Sequence, residues 1–172
     1  KIILKLDIEN FFPSISFLDV YKKAFPPYIY PPAVAALLTN LVTYNNFLPQ
    51  GAPTSSSISN LVLRSFDLKI GKFCEEKNIA YTRYCDDMTF SGDFEVKDLI
   101  TLVKKELLGC GFSLNKKKIK VIKPNKSQIV TGIVCNEKLN VPRTYRQKIR
   151  QEMYYIKKFG FKKHLDNIGY LG

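Results

Sequence analysis

The stretch Tyr81-Thr-Arg-Tyr-Cys-Asp-Asp-Met-Thr-Phe-Ser91 sets two adjacent acids inside a run of aromatic and β-branched residues. Such residues favour a pleated backbone, so Ile79 to Tyr84 and Met88 to Ser91 are predicted as the strands of a hairpin, with Cys85-Asp86-Asp87 as its tight turn. Neighbouring carboxylates repel each other and resist burial, so a strand junction tolerates them where water or cations neutralise them. A solvated surface turn meets that condition as readily as a metal site does. A second acid in a similar setting favours the metal. Lys1 to Leu6 is a short apolar strand that ends in Asp7, which puts another carboxylate at a strand's C-terminal end. Phosphoryl transfer by two metals requires carboxylates from separate segments around ions roughly 3.5 to 4 Å apart. Asp7, Asp86 and Asp87 supply them, and Mg²⁺ is the hard divalent ion that suits such a set.

Between these acids the sequence predicts helices. Ser16-Phe-Leu-Asp19 is a capping box variant opening a short helix to about Ala24, which Pro26-Pro27 breaks. A second helix starts at Pro31-Pro32 and runs through Leu41, with Val34, Leu37, Leu38 and Leu41 at helical spacing and expected beneath the sheet. Leu48 to Pro53 is a loop. A long helix then follows from the hydroxyls of Thr54 to Ser57 to about Glu76, with Leu61, Phe66, Ile70 and Phe73 as its apolar stripe. Glu95 to Leu108 is amphipathic, with Leu99, Val103 and Leu107 inward and Gly109 and Gly111 ending it. Lys118 to Ile122, Ile129 to Cys135 and Leu139 to Val141 are expected strands, with Asn136 to Lys138 as a turn, and Arg143 to Phe159 a final basic helix. Strand, helix, strand, strand, helix, strand from Lys1 to Ile122 is the split βαβ order, an α+β arrangement that brings the first strand beside the central hairpin.

At 172 residues and 45% hydrophobic content the chain is long enough for one compact domain. The charge is 27 − 15 = +12, beyond the ~2 to 8 that solubility requires of a small domain, and it points to a phosphate-bearing partner. Lys116 to Lys126 is the densest basic run, either a solvated face or a contact with nucleic acid. Cys74, Cys85, Cys110 and Cys135 are widely separated and His164 is the sole histidine. That pattern indicates neither zinc nor a disulfide framework and fits a reducing cytoplasm. No apolar run reaches the ~18 residues of a membrane span. The chain opens without Met, directly in a core strand, and is expected to be a piece of a larger protein.

Leu6-Asp-Ile-Glu-Asn-Phe-Phe-Pro-Ser-Ile15, Leu48-Pro-Gln-Gly-Ala-Pro-Thr-Ser55, Tyr84-Cys-Asp-Asp87 and Gly111-Phe-Ser-Leu-Asn-Lys-Lys-Lys118 resemble, in order, successive palm motifs of reverse transcriptases. Thr82-Arg83-Tyr84-Cys85 before the acids, Thr89-Phe90-Ser91 after them and Val130-Thr-Gly132 downstream resemble the bacterial retron-type branch, with which antiviral defence is associated. The resemblance covers nearly the whole chain. It implies a polymerase palm with a ferredoxin-like core, an antiparallel sheet with helices on one face, over residues 1–141. Residues 142–172 would be a basic helical segment leading towards a thumb. Fingers and most of the thumb would lie elsewhere in the polymerase.

The implied activity is RNA-directed DNA synthesis on an RNA template from a DNA or RNA primer, with deoxynucleoside triphosphates as substrates and two Mg²⁺ ions, or Mn²⁺, as cofactors. By resemblance Asp7 and Asp86 are the principal metal ligands, with Asp87 supporting and the Ile8 carbonyl as a backbone ligand. Gln50, Gly51 and Lys118 match nucleotide-site positions. Ile119 stands where the family often has Thr. Phe12 matches the aromatic gate beneath the sugar, with a core role as its alternative, whereas Phe11 is expected in the core. Tyr84 and Cys85 match positions touching the primer end. Two rival classes remain. A non-catalytic RNA-binding palm is opposed by three crowded acids that repel phosphate. An RNA-copying RNA polymerase is opposed by Phe12, where those enzymes place an acid. The isolated piece is expected to be inactive.

Overall fold

The computed structural model describes residues 1–130, 132–136 and 138–167, with side chains through residue 165 apart from those gaps. The chain forms two compact units, Lys1–Lys123 and Pro124–Gly172. In the first, strand β1 (Ile2–Asp7) leads to one helical turn α1 (Phe11–Ser14) and to α2 (Phe17–Asp19), which continues as a wide turn over Val20–Ala24. Helices α3 (Pro32–Val42), α4 (Ser55–Val62) and α5 (Arg64–Glu76) follow. The hairpin β2 (Ala80–Tyr84) and β3 (Asp87–Gly92), helix α6 (Val96–Gly109) and strand β4 (Lys120–Ile122) complete the unit. The strands form an antiparallel sheet of order β2-β3-β1-β4. Helices and antiparallel sheet together make an α+β fold.

Side-chain alternation decides what each sheet face does. Leu4 lies opposite Phe90 and Leu6 opposite Met88, and all four are inaccessible to solvent. They join Ile58, Val62, Phe66, Ile70, Leu99, Val103 and Leu107 in one cluster, so α4, α5 and α6 cover that face. Tyr81 stacks on Phe90 with ring centroids 4.9 Å apart. Burying a side chain the size of Phe90 or Phe66 contributes about 1.5 to 3 kcal/mol, and the aromatic pair adds roughly 0.5 to 1.5 kcal/mol. The intervening positions are polar across three strands: Lys5 lies opposite Thr89, and Thr89 opposite Thr82.

Local chemistry explains the helix ends. Asp19 N–H donates to Ser16 Oγ at 3.2 Å while Ser16 N–H donates to Asp19 Oδ2 at 3.1 Å, the reciprocal capping box. The single long helix expected from Thr54 to Glu76 is broken at Leu63, which is fully buried. The buried stripe is Ile58, Val62, Phe66, Ile70 and Cys74, and Leu61, expected on it, is exposed. Helix α3 also turns the other way from expectation. Val34, Leu37 and Leu41 point to solvent while Ala35 and Thr39 are buried, the Thr39 hydroxyl donating to the Ala35 carbonyl at 2.7 Å. Small residues there allow close approach to the neighbouring turn, which outweighs the bulk of the leucines.

The expected strand from Lys118 shortens to Lys120–Ile122, because Lys116–Lys118 form a 3₁₀ turn capped by Asn115 Oδ1, which accepts from Lys117 N–H at 3.2 Å. In the second unit the expected strand Ile129 to Cys135 folds back on itself. Strands β5 (Ile129–Val130) and β6 (Ile133–Val134) pair antiparallel, with Gly132 at φ +82° in the bend, where a left-handed backbone favours glycine. Of Leu139 to Val141 only Asn140 pairs, with Val134. Helix α7 (Arg143–Phe159) has the expected bounds, and α8 (Phe161–Asn167) follows it after Gly160. Thr131 of the Val130-Thr-Gly132 triplet and Glu137 of the expected turn lie outside the described residues.

Candidate active site at the end of the central hairpin

The register sets the acids. Asp7, the last residue of β1, lies directly opposite Asp87 at the start of β3, and Asp87 lies opposite Tyr84 at the end of β2. Directly opposed residues of an antiparallel pair project to the same face, so Asp7, Asp87 and Tyr84 belong to the polar face of Lys5, Thr82 and Thr89. Asp87 is therefore a strand residue, and the loop is Cys85-Asp86 alone. The backbone fixes the rest. Ile8 N–H donates to the Asp86 carbonyl at 3.1 Å, Asn115 N–H to the Asp7 carbonyl at 2.8 Å and Glu9 N–H to the Ser113 carbonyl at 2.8 Å. Three distant segments thus converge on one end of the sheet.

Asp7 is 5% exposed, and its carboxylate is satisfied by Lys118, whose Nζ donates to Oδ2 at 2.8 Å. Burial pushes the Asp86 carboxyl above its ordinary range, and the Asp7 and Asp87 charges push the same way, against its own backbone hydrogen bond and Lys118. The hydrogen bond to Asp7 raises Lys118 first, and the charges of Asp7, Asp86 and Asp87 add to it. Three carboxylates against one ammonium leave −3 + 1 = −2 when all are ionised. That is the charge a divalent cation neutralises, and carboxylate oxygen is the donor that hard Mg²⁺ prefers. The donor chemistry therefore fits the ion. Among the described residues no three acid, histidine or cysteine side chains are already drawn together as a ligand set.

The other expected site residues have varied settings. Phe12 is half-buried on α1, its ring 5.3 Å from that of Phe11. Phe11 itself is in the core against Phe112. Gln50 and Gly51 are exposed in the loop before α4. Gly51 has φ +87° with open space where a Cβ would project, so backbone conformation rather than crowding demands glycine. Tyr84 is 71% exposed and Cys85 almost buried. Cys85 has φ +52°, a left-handed conformation costing a non-glycine residue about 1 to 2 kcal/mol.

A network unassigned by the sequence reading holds this turn. Arg83, whose side chain is only 4% exposed, donates through Nη1 to the Cys85 carbonyl at 2.8 Å and through Nε to Asp67 Oδ1 at 2.9 Å, and it pairs through Nη2 with Asp67 Oδ2. Tyr81 donates to Asp67 Oδ1 at 2.7 Å. The signal in the sequence was an arginine on an aromatic strand, two residues before the turn. Its partner on α5 lies 16 positions upstream and carries no local mark.

A protein-family model described as "Reverse transcriptase (RNA-dependent DNA polymerase)" matches residues 1–172. Among curated proteins, the retron Ec86 reverse transcriptase of Escherichia coli is 32% identical over 161 residues, covering 90% of this chain and 49% of the relative. The retron Mx65 reverse transcriptase of Myxococcus xanthus is 32% identical over 179 residues, covering 90% and 40%. The chain thus spans about half the length of these relatives or less. Among solved structures, telomerase from Candida albicans in complex with a fragment of telomeric RNA superposes with a TM-score of 0.62 at 13% identity, covering 92% of this chain and 36% of that one. Apo telomerase from Candida tropicalis, truncated of its C-terminal domain, gives 0.58 at 12% identity over 82% of this chain and 35% of its own. At those identities the likeness is one of fold.

Proposed function

Because the chain belongs to the reverse transcriptase family, we propose that it is the palm of a retron-type RNA-directed DNA polymerase, which joins a primer 3′-hydroxyl to the α-phosphate of a deoxynucleotide. The observation that carries this reading is the register that sets Asp7 against Asp87 with Asp86 in the adjoining loop. The strand order β2-β3-β1-β4, with helices over one face, supports a split βαβ, ferredoxin-like palm. We assign residues 1–141 to it and residues 142–172 to a basic segment leading to a thumb, with fingers and thumb in the length that the relatives have beyond this match.

Asp7 and Asp86, supported by Asp87 and the Ile8 carbonyl, would hold two Mg²⁺ ions, or Mn²⁺ in their place. Bound there, the ions would lower the pKa of the attacking hydroxyl and neutralise the triphosphate and the pyrophosphate that leaves it when the Pα–O bond to the β-phosphate breaks. The chain's own groups do the positioning. Tyr84 and Cys85 place the primer end, Gln50 and Gly51 line the nucleotide, and the half-buried ring of Phe12 lies beneath its sugar. Lys118, 58% exposed at its side chain and paired with Asp7, is free at its far side to meet the β- and γ-phosphates. Lys118→Ala is expected to raise the nucleotide KM roughly three- to tenfold in the full-length enzyme, with a smaller change in kcat. Equal KM values in steady-state titrations would remove Lys118 from the nucleotide site.

No helix of the described residues is long and apolar enough to cross a membrane; the free cysteines and the +12 charge support an intracellular protein that works on nucleic acid. The deciding experiment supplies the full-length protein with an RNA template, an annealed primer and four deoxynucleoside triphosphates. Product complementary to the template is expected. Tight RNA binding without any extension would favour the binding-module reading instead.

A further inference from the structure

Arg83 lies opposite Met88 in the β2-β3 pairing, and Met88 is fully buried on the helix side of the sheet. Asp87, one residue before Met88, belongs to the other face, together with Asp7 and Tyr84. The guanidinium therefore reaches the turn from the helix side of the sheet, opposite the face of Asp7 and Asp87. We propose that Arg83, anchored by Asp67, is a positioning residue for polymerisation: it holds the Cys85 carbonyl and so fixes the turn that presents Asp86 and Asp87. The proposal rests on the reading of this hairpin as a polymerase active site.

Three features carry it. The first is the division of the guanidinium's donors. Nε and Nη2 are committed to the Asp67 carboxylate and Nη1 to the Cys85 carbonyl. A planar fork can serve both partners at once, whereas a lysine's single ammonium cannot reproduce that fixed geometry. The second is the turn itself. Cys85 adopts a left-handed conformation without being glycine, and such a residue persists where its surroundings over-determine it. The third is that two successive carbonyls of the loop are anchored from two elements: Cys85 by Arg83, and Asp86 by the Ile8 N–H. The two peptide units that flank the Asp86 Cα are thus both held. Asp67 sits on α5, whose Phe66 and Ile70 are buried in the core, so the clamp refers the turn to the rigid body of the fold.

A merely structural ion pair would change stability and leave the rate per folded molecule alone. Full-length wild type, Arg83→Lys, Asp67→Asn and Tyr81→Phe are compared by kcat, nucleotide KM and melting temperature on one primer-template. Tyr81→Phe removes a hydrogen bond to Asp67 and leaves the contact with Cys85, so it is expected to lower the melting temperature while kcat stays within about twofold. Arg83→Lys is expected to lower kcat roughly ten- to hundredfold with nucleotide KM within about twofold, the loss that a small misplacement of catalytic groups produces. Asp67→Asn, which keeps the shape, is expected to show the same split more mildly, and it serves if the lysine variant does not fold. Wild-type kcat in Arg83→Lys, or in Asp67→Asn where that variant stands in, overturns the clamp; so does an equal kcat loss in Tyr81→Phe. Asp86→Asn in the same assay separates the two levels. DNA synthesis by that variant would overturn the active-site reading itself, whereas its inactivity beside a fully active Arg83→Lys would overturn the clamp alone.

Discussion

Asp86→Asn in the full-length enzyme is expected to abolish DNA synthesis, with kcat falling at least roughly 10²- to 10³-fold, the scale on which one preorganised charge-stabilising group matters. The melting temperature of the variant is expected to be unchanged or higher. Burial and the charges of Asp7 and Asp87 raise the Asp86 pKa in the fold. A raised carboxyl pKa means that the folded state binds the proton more tightly than the unfolded state, so stability falls as pH rises through the interval above the ordinary value of 3.8. At neutral pH the ionised Asp86 therefore opposes folding, and a neutral side chain of the same shape removes that opposition. Loss of activity without loss of stability distinguishes a catalytic acid from a structural one. Asp7→Asn is expected to be equally inactive but less innocuous to the fold, since the nearly buried Asp7 is the partner of Lys118. Primer extension at the wild-type rate by Asp86→Asn, measured at saturating nucleotide, would sink the assignment.

How far the sequence reveals this site follows from the range of the forces involved. The hairpin is legible because strand propensity and turn chemistry are local, and α6 is legible because Leu99, Val103 and Leu107 repeat at helical spacing and are all buried. Asp7 is legible as a strand-end acid. Its exact opposition to Asp87, rather than to Asp86 in the loop, is a matter of register, which is decided by pairing between strands 80 positions apart and not by either segment alone. Helix α3 misleads for a related reason. Its leucines mark an apolar face, yet packing against the turn at Val20–Ala24 selects the small residues Ala35 and Thr39 for burial. Periodicity locates a stripe; it does not say which neighbour claims it. The Arg83-Asp67 pair is hidden for the same cause, since it exists only where α5 packs against β2. Leu63 shows the opposite limit. A kink of one residue is invisible in the pattern Ile58, Val62, Phe66, Ile70, which a continuous helix would also produce.

Phe12→Val is expected to relax the choice of sugar. Phe12 lies five residues beyond Asp7 on α1, half-buried, with Phe11 taking the core position beside Phe112. Phe11 thus fills the interior, while the Phe12 ring is only partly buried against the core. A ring beneath C2′ of the incoming sugar gives a 2′-hydroxyl neither space nor a hydrogen-bond partner. Overpacking and an unsatisfied hydroxyl each cost about 1 to 3 kcal/mol. Since ~1.4 kcal/mol is a factor of ten in rate ratio, discrimination of at least roughly tenfold to a hundredfold against ribonucleotides follows. Valine removes most of the ring while keeping an apolar surface. The ratio of kcat/KM for ribonucleotide over deoxynucleotide is therefore expected to rise by about the same factor, with a smaller loss in deoxynucleotide use. A purely structural Phe12 predicts another result: a cavity whose cost approaches the ~3 to 5 kcal/mol of Phe→Ala in a closed core, with both sugars affected alike. Half-burial limits that cost, because a side chain already open on one side leaves no sealed void when shortened. Sugar ratio and melting temperature measured on one preparation tell the two apart, and an unchanged ratio with a lowered melting temperature would assign Phe12 to the core.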